Sequence, residues 1–137
     1  MKILPESDAC GVIYLGKINK ELTNFEIYIQ NKSKRKFAFG YVVLGSATKF
    51  HVETTSYKVT VTEAVEKELG AFKQIPVSIE ITAHDLGIIN VALEFWFKCD
   101  KEETFHITKF IKAKITRRSQ PYGLSVAELR KRMLTQR

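Results

Sequence analysis

Hydrophobic residues in this chain alternate with polar ones at every second position, and short polar or glycine-containing stretches interrupt the alternation repeatedly. This period places alternate side chains on one face of an extended backbone, which is typical of half-buried β-strands and indicates an all-β domain. The predicted strands span Cys10–Ile18, Leu22–Gln30, Phe37–Val43, one or two within residues 50–61, Ile75–Ile81, Ile89–Phe97 and Phe105–Ala113.

Three local departures from this pattern lead to predictions of their own. Pro76 cannot donate a backbone hydrogen bond, which predicts a strand start or an edge position there. Phe110 stands beside Ile111 and breaks strict alternation, which predicts a β-bulge or burial on both faces of the last strand. The acidic stretch Thr62–Gly70 fits one helical turn or a loop.

The period changes near the end of the sequence. Ser125 followed three residues later by Glu128 is a capping-box signature, in which side chains satisfy the first backbone amides of a helix. Val126, Leu129 and Met133 then recur at helical spacing among basic residues. These features predict a basic amphipathic α-helix after the last strand.

The length of 137 residues suits one domain core better than two. We therefore predict an all-β fold: an immunoglobulin-like β-sandwich of about seven strands over residues 1–118, then a basic linker and the amphipathic C-terminal α-helix over residues 119–137. No apolar run approaches the ~18 to 20 residues that a membrane span needs. We expect a soluble, cytoplasmic protein without a membrane partner.

Catalytic motifs are missing from the sequence. His51, His84 and His106 have no carboxylate or cysteine at a motif spacing, although a nucleophile and its base need not be close in sequence. Turn preference explains the neighbouring His84 and Asp85 better than a catalytic dyad does. Glycine-rich phosphate loops of the GxxxxGKS, GxxxxGKT and GxGxxG types are absent. We predict no enzyme, no catalytic residues and no cofactor.

Two cysteines and one asparagine are the remaining candidates for covalent or metal chemistry. Cys10 and Cys99 do not match the disulfide positions of antibody-like domains, and they lack the further ligands of a zinc site. We expect both to be reduced and no metal to bind. Asn31-Lys32-Ser33 matches a glycosylation sequon, but without a secretory signal we expect a chance match.

Positive charge is concentrated towards the C-terminus. Residues 98–137 contain 11 basic and 4 acidic side chains and account for the whole net charge of +7. Such clusters attract phosphate backbones or acidic protein surfaces; the alternative is a solvated face whose lysines discourage edge pairing. The candidate nucleic-acid contacts are Lys109, Lys112, Lys114, Arg117 and Arg118, with a second basic cluster at Lys34, Arg35 and Lys36.

Aromatic and helical side chains supply further candidates. Trp96 and Tyr122 can stack on bases if they are exposed; otherwise Trp96 covers the edge of the core. The stripe of Val126, Leu129 and Met133 is a candidate surface for a partner's groove, unless the helix packs on its own domain or begins the next one. We therefore expect a protein partner or an adjoining domain of the same chain.

Two early segments suggest a family. Residues 11–18, GVIYLGKI, form an opening strand, and residues 25–33, FEIYIQNKS, form a strand that ends in Asn-x-Ser. Together they resemble the major-sperm-protein and ASH-type branch of the immunoglobulin-like sandwiches.

Later segments narrow the resemblance within that branch. Residues 87–97, GIINVALEFWF, and 105–113, FHITKFIKA, are similar to strands of the β-domain ahead of the motor in Armitage and Mov-ten-type RNA helicases. Pro121-Tyr122 resembles the proline–aromatic exit of that domain, and Lys109 stands where arginine is usual.

The two resemblances imply different settings. The helicase resemblance implies an accessory domain in RNA silencing or RNA granules, docked on the motor or a protein partner, with weak RNA phosphate contact. No helicase motif exists in this chain, so any ATPase would lie outside it. The ASH resemblance instead implies a scaffolding domain of a cilium or centrosome, and the residues leave both settings open.

Overall fold

The structure, a computed structural model, describes residues 1–19, 21–46 and 48–116. Two five-stranded sheets pack face to face, with strand orders β1-β3-β8-β6-β5 and β2-β10-β9-β4-β7. The described residues form the strands β1 (Lys2–Leu4), β2 (Val12–Ile18), β3 (Leu22–Gln30), β4 (Phe37–Val43), β5 (His51–Glu53), β6 (Tyr57–Val61), β7 (Glu68–Leu69), β8 (Gln74–Ala83), β9 (Gly87–Lys98) and β10 (Phe105–Ile115). The predicted all-β class is confirmed.

Each predicted strand region forms a strand, and two short strands are additional. β1 and β7 have 3 and 2 residues, too few to show a period in the sequence. β7 lies within the stretch for which we expected a helical turn or a loop, because the buried Leu69 pairs with Phe37 there. The predicted C-terminal helix and the 119–137 segment lie outside the described residues.

The core lies between the two sheets and follows the predicted alternation. The first sheet contributes residues such as Ile27 and Ile81, and the second contributes Leu93, Phe95 and Phe97, all fully buried. Burying side chains of this size stabilises a fold by about 1.5–3 kcal/mol each. The core therefore fixes which face of each strand remains available for contacts.

The last strand, β10, is internal to its sheet. It pairs antiparallel with β9 on one side and parallel with β2 on the other. Protection of a sheet edge therefore does not explain its lysines. By contrast, Pro76 agrees with the predicted edge position, because β6 reaches only Ile79 of β8 and leaves Pro76 paired with Tyr28 alone.

Phe110 is half-buried on the outer face of β10, while its neighbour Ile111 is buried in the core. Pairing of Phe110 with Ala92 of β9 is regular, so burial on both faces explains the break in alternation at this point. The irregularity of β10 lies further along, between Lys112 and Lys114, and involves β2.

Asn31 is the one buried polar residue among the described side chains, 1% exposed. Its amide nitrogen donates to the carbonyl oxygens of Arg35 and Gly70 at 2.7 and 2.9 Å, and its oxygen accepts from the Ser33 amide at 3.0 Å. The side chain thus joins the β3–β4 turn to the segment after β7. Its amide is buried and fully engaged in hydrogen bonds in this fold.

Candidate functional site

A β-bulge shapes the outer surface of the second sheet. Tyr14 of β2 lies opposite Lys112 of β10, and Lys17 lies opposite Lys114. An advance of three residues along β2, from Tyr14 to Lys17, therefore matches an advance of two residues along β10, because β2 contains an extra residue. Gly16 lies at this point with φ of 81°, a left-handed conformation that glycine adopts without strain.

The bulge brings Lys17 to the same face as Tyr14. In a regular strand, residues three positions apart point to opposite faces. After the inserted residue, Lys17 shares the outer face with Lys114, while the next pair along the ladder, Ile18 and Ile115, is buried. We call the surface formed by Tyr14, Lys17, Lys112 and Lys114 the basic face.

Sequence reasoning missed Lys17 as a member of this surface, because plain alternation places it on the face opposite Tyr14. The available signal was Gly16, since a glycine inside a strand often marks a bulge. Lys112 and Lys114 both lie on the outer face of β10.

The basic face combines an exposed ring with lysines that form no ion pair among the described residues. Adjacent strands lie about 4.8 Å apart and alternate residues about 6.6 Å apart along a strand, so the three lysine backbones are close neighbours. β2 and β10 contain no acidic residue, and the single carboxylate of β9, Glu94, lies four residues from Asn90, the partner of Lys112. The Tyr14 side chain is 66% exposed. Such a surface attracts anions and offers an aromatic ring for stacking.

Lys109 lies apart from this surface. It pairs with the buried Leu93 of β9 and belongs to the alternate residues of β10 that point towards the core. Its half-buried ammonium donates a hydrogen bond to the Ser7 hydroxyl at 2.6 Å, at the open side of the sandwich. The sequence grouped Lys109 with Lys112 and Lys114, but the structure directs it to the other face.

The second basic cluster, in the β3–β4 turn, is partly neutralised. Arg35 forms an ion pair with Glu102, and Lys36 pairs with Glu68 at 2.9 Å. Hydrogen bonds to these carboxylates raise the pKa of Arg35 and the pKa of Lys36 above their usual values. Lys34 is exposed in the same turn.

The two basic clusters lie at opposite ends of the sandwich. The β3–β4 turn leads into Phe37, whose ring centroid lies 6.0 Å from that of Phe105 at the start of β10. Lys112 follows seven residues later on β10, about 23 Å away at a rise of ~3.3 Å per residue. The described residues therefore do not join the clusters into one patch.

Other predicted site residues lie outside the described part of the chain, and their roles stay predictions. They are Arg117, Arg118, Tyr122, Val126, Leu129 and Met133.

Trp96, the other candidate for base stacking, is 36% exposed and lies across Gly40 of the neighbouring strand. A Cβ atom at Gly40 would lie 2.5 Å from the indole nitrogen, so the missing side chain makes room for the ring. Trp96 thus covers the outer face of its own sheet while keeping part of its ring accessible.

Metal-binding clusters and membrane-spanning helices are both absent from residues 1–19, 21–46 and 48–116. No group of three or more His, Cys, Asp and Glu side chains there is arranged to hold a metal ion. Within the same residues, no helix is long and apolar enough to cross a membrane. Cys10 is exposed, Cys99 is buried, and both are free thiols.

A comparison with protein families identifies the family of this domain. The family model described as "Helicase MOV-10, Ig-like domain" matches residues 6–114. The chain belongs to this family. Membership confirms the immunoglobulin-like fold and the resemblance to the β-domain of Mov-ten-type helicases, and it identifies the matched region as an accessory domain type. The boundary predicted near residue 118 lies beyond the match and stays a prediction.

Solved structures show the same fold in other settings. The ASH/PapD-like domain 7 of human CEP192 is similar with a TM-score of 0.56 and 10% identity, over 78% of this chain and 82% of that one. The Vibrio cholerae VesB protease matches with a TM-score of 0.59 and 12% identity over 75% of this chain and 30% of its own. The secreted protease VesC of the same organism matches with a TM-score of 0.51 and 10% identity, over 74% of this chain and 21% of its own.

At these identities the similarity to those structures shows the fold alone. The chain spans less than a third of either Vibrio protease, so the match does not extend to their full length. Among the curated protein sequences, none matches this chain significantly.

Proposed function

We propose that this domain is a non-catalytic interaction domain of a larger MOV-10-type helicase, and that its basic face makes weak contacts with RNA phosphates. The domain docks on the helicase motor or on a protein partner in a cytoplasmic RNA-silencing or RNA-granule assembly. The proposal depends on one observation above all: the bulge at Gly16 places Lys17 on the same face as Lys112 and Lys114.

The chemistry of this face suits a single-stranded polyanion. Each lysine that neutralises a phosphate releases a condensed counterion, and affinity then falls as salt rises, with a slope of about −0.7 per phosphate for single strands. Three lysines predict a slope of about −2 on logarithmic axes. Stacking of a base on Tyr14 would add ~1–3 kcal/mol without selecting a sequence.

Fluorescence anisotropy of the whole chain with a short labelled single-stranded RNA, over a salt series, tests the proposal. The unaltered chain is expected to bind weakly at low salt and to show the slope given above. Replacing Lys112→Glu together with Lys114→Glu is expected to reduce affinity on the order of tenfold or more and to flatten the slope.

The matched control is the pair Lys34→Glu and Lys36→Glu. It changes the formal charge by the same amount but lies at the other end of the sandwich, where Lys36 already has Glu68 as its partner. We expect this control to retain most of the RNA affinity. Equal losses in both double variants would mean that net charge alone drives binding, and the assignment to the basic face would be wrong.

Absence of RNA binding at low salt would overturn the phosphate contact. The accessory role would then consist of protein docking alone, and the result would favour the alternative of an ASH-type scaffolding domain. A pull-down between the domain and the rest of its full-length protein would measure docking separately, because the Lys112 and Lys114 variants should not affect it.

A further inference from the structure

An apolar groove opens between β2 and β3, where the two sheets separate at the side of the sandwich. It has a volume of about 440 Å³. Leu15 and Phe25 line it and are only partly buried, although both pack against the core. Pro5 and Ile18 extend the apolar lining, and Lys17, Asn19 and Thr23 add polar groups.

Incomplete strand pairing creates this groove. β1 covers β3 only from Tyr28 to Gln30, so within the described residues no strand lies beside the other half of β3, Leu22–Ile27, on that side. In the part of the chain that the structure describes, β2 pairs with β10 alone. Open sheet edges with apolar side chains promote aggregation, and natural proteins commonly cover them with a helix or a loop.

The chain itself leaves the described fold at the mouth of this groove. The Thr116 amide donates a hydrogen bond to the Ile18 carbonyl at 2.9 Å. Ile18 is one of the residues that line the groove. Residues 117–137 continue from this point.

The sequence of that segment complements the groove. Val126, Leu129 and Met133 form an apolar stripe at helical spacing. A single short helix is marginal in water and gains most of its stability by packing its apolar face on other elements. Residues 117–125 span up to about 30 Å when extended, whereas Leu15 lies only ~10 Å from Ile18 along β2.

We propose that residues 119–137 of this chain dock in the groove between β2 and β3, with Val126, Leu129 and Met133 packed against Leu15 and Phe25. The docked segment covers the open side of the sandwich. This surface adjoins the basic face, because Tyr14 and Lys17 line the groove as well, and the test below is carried out without RNA.

NMR spectroscopy of the whole ¹⁵N-labelled chain tests the docking with a matched pair of variants. Leu129→Asp places a charge on the apolar stripe. Thr135→Asp adds the same charge on the opposite side of the predicted helix, since 100° per residue sets Thr135 half a turn from the stripe. We expect Leu129→Asp to shift the amide signals of Leu15, Thr23 and Phe25, and Thr135→Asp to leave them in place.

A spin label supplies a second readout that does not depend on disrupting the contact. A nitroxide on Thr135→Cys, in a Cys10→Ser background, is expected to broaden the signals of Leu15 and Phe25. Cys99 is buried and is not expected to react. Dispersed signals from core residues such as Phe95 establish in each case that the domain is folded.

Three outcomes would overturn the proposal. Groove signals that are identical in the unaltered chain and in Leu129→Asp would mean that the segment does not dock there. Broadening on another surface, such as around Trp96, would place the segment elsewhere. Broadening of an unlabelled ¹⁵N chain by a separate spin-labelled chain would show that a second copy, rather than the same chain, fills the groove.

Discussion

The Lys109 ammonium and the Ser7 hydroxyl are joined by a hydrogen bond of 2.6 Å. The contact ties the middle of β10 to the segment that follows β1, at the open side of the sandwich. Lys112, only three residues further on, lies on the outer face of the same strand. Two lysines that the sequence predicts as nucleic-acid contacts therefore have separate structural roles.

We predict that Lys109→Ala and Lys112→Ala separate stability from RNA binding. Lys109→Ala should lower the free energy of unfolding by about 1 kcal/mol, through loss of a charge-assisted hydrogen bond, and should leave RNA affinity nearly unchanged. Lys112→Ala should do the reverse, with less than ~0.5 kcal/mol of destabilisation. Urea denaturation and fluorescence anisotropy measure the two effects. Ser7→Ala is the control for the hydrogen bond, and an RNA defect in Lys109→Ala would contradict the assignment.

The stability cost of a substitution at Gly16 should depend on how readily the new residue adopts the backbone conformation, and not on the size of its side chain. A Cβ atom there would meet nothing within 4 Å, so the expected penalty comes from the positive φ of 81°. We expect Gly16→Ala to cost ~1–2 kcal/mol and Gly16→Asn to cost less, because asparagine enters the left-handed region more readily. Chemical denaturation of both variants checks the order. Equal losses would argue against strain as the cause.

Gly40 and Trp96 should show strong energetic coupling. A methyl group at Gly40 overlaps the indole, so Gly40→Ala should displace the ring and cost ~1–3 kcal/mol. In a Trp96→Leu background the same change should cost less than ~0.5 kcal/mol. A double-mutant cycle by urea denaturation measures the coupling. Trp96 is the only tryptophan, so its emission should also shift to the red in Gly40→Ala. Additive losses would exclude the contact as the cause.

Asn31→Asp should be among the most destabilising polar substitutions in the domain. A carboxylate cannot donate to the carbonyl oxygens of Arg35 and Gly70, and it would be buried facing them. We expect a loss of about 3 kcal/mol or more, as for a buried charge without a partner. Asn31→Asp and Ser33→Ala can be compared by thermal unfolding, since Ser33→Ala keeps the donors of Asn31. Similar melting temperatures for these two variants would contradict the anchoring role.

Stability should fall at high pH because of Tyr41. Burial raises the pKa of Tyr41 to about 12, and its hydroxyl donates to the Thr62 carbonyl. The unfolded chain ionises first, near pH 10. The protonated side chain therefore gives its full contribution below about pH 10, and roughly 2 kcal/mol of it is lost as pH rises towards 12.

Tyr41→Phe isolates this effect, because the variant keeps the ring but has no titrating hydroxyl. The difference in unfolding free energy between the unaltered chain and Tyr41→Phe should be constant from pH 7 to 9 and should shrink above pH 10. Urea denaturation at successive pH values gives the curve. A difference that is constant up to pH 11 would show that Tyr41 ionises equally in both states.

The local sequence pattern was sufficient to predict a strand wherever one face of that strand is buried. The alternation in Leu22–Gln30 and Ile89–Phe97 predicted β3 and β9 closely, since burial of every second side chain selects the same residues in sequence and in structure. β1 and β7 were not predicted, because strands this short gain their stability from the strands with which they pair. The role of Asn31 was also missed, since it depends on the Gly70 carbonyl, 39 residues away in sequence, as well as on the adjacent turn.

The sequence by itself determined the β class, the placement of the long strands and the family, because each depends on the order of polar and apolar residues along one segment. Only the tertiary structure decided which cations share a surface. The inserted residue at Gly16 turns Lys17 to the outer face, and the pairing of β10 with β2 places Lys112 and Lys114 beside it. Facing and proximity depend on the register between strands, and register is a property of pairs of segments rather than of either segment alone.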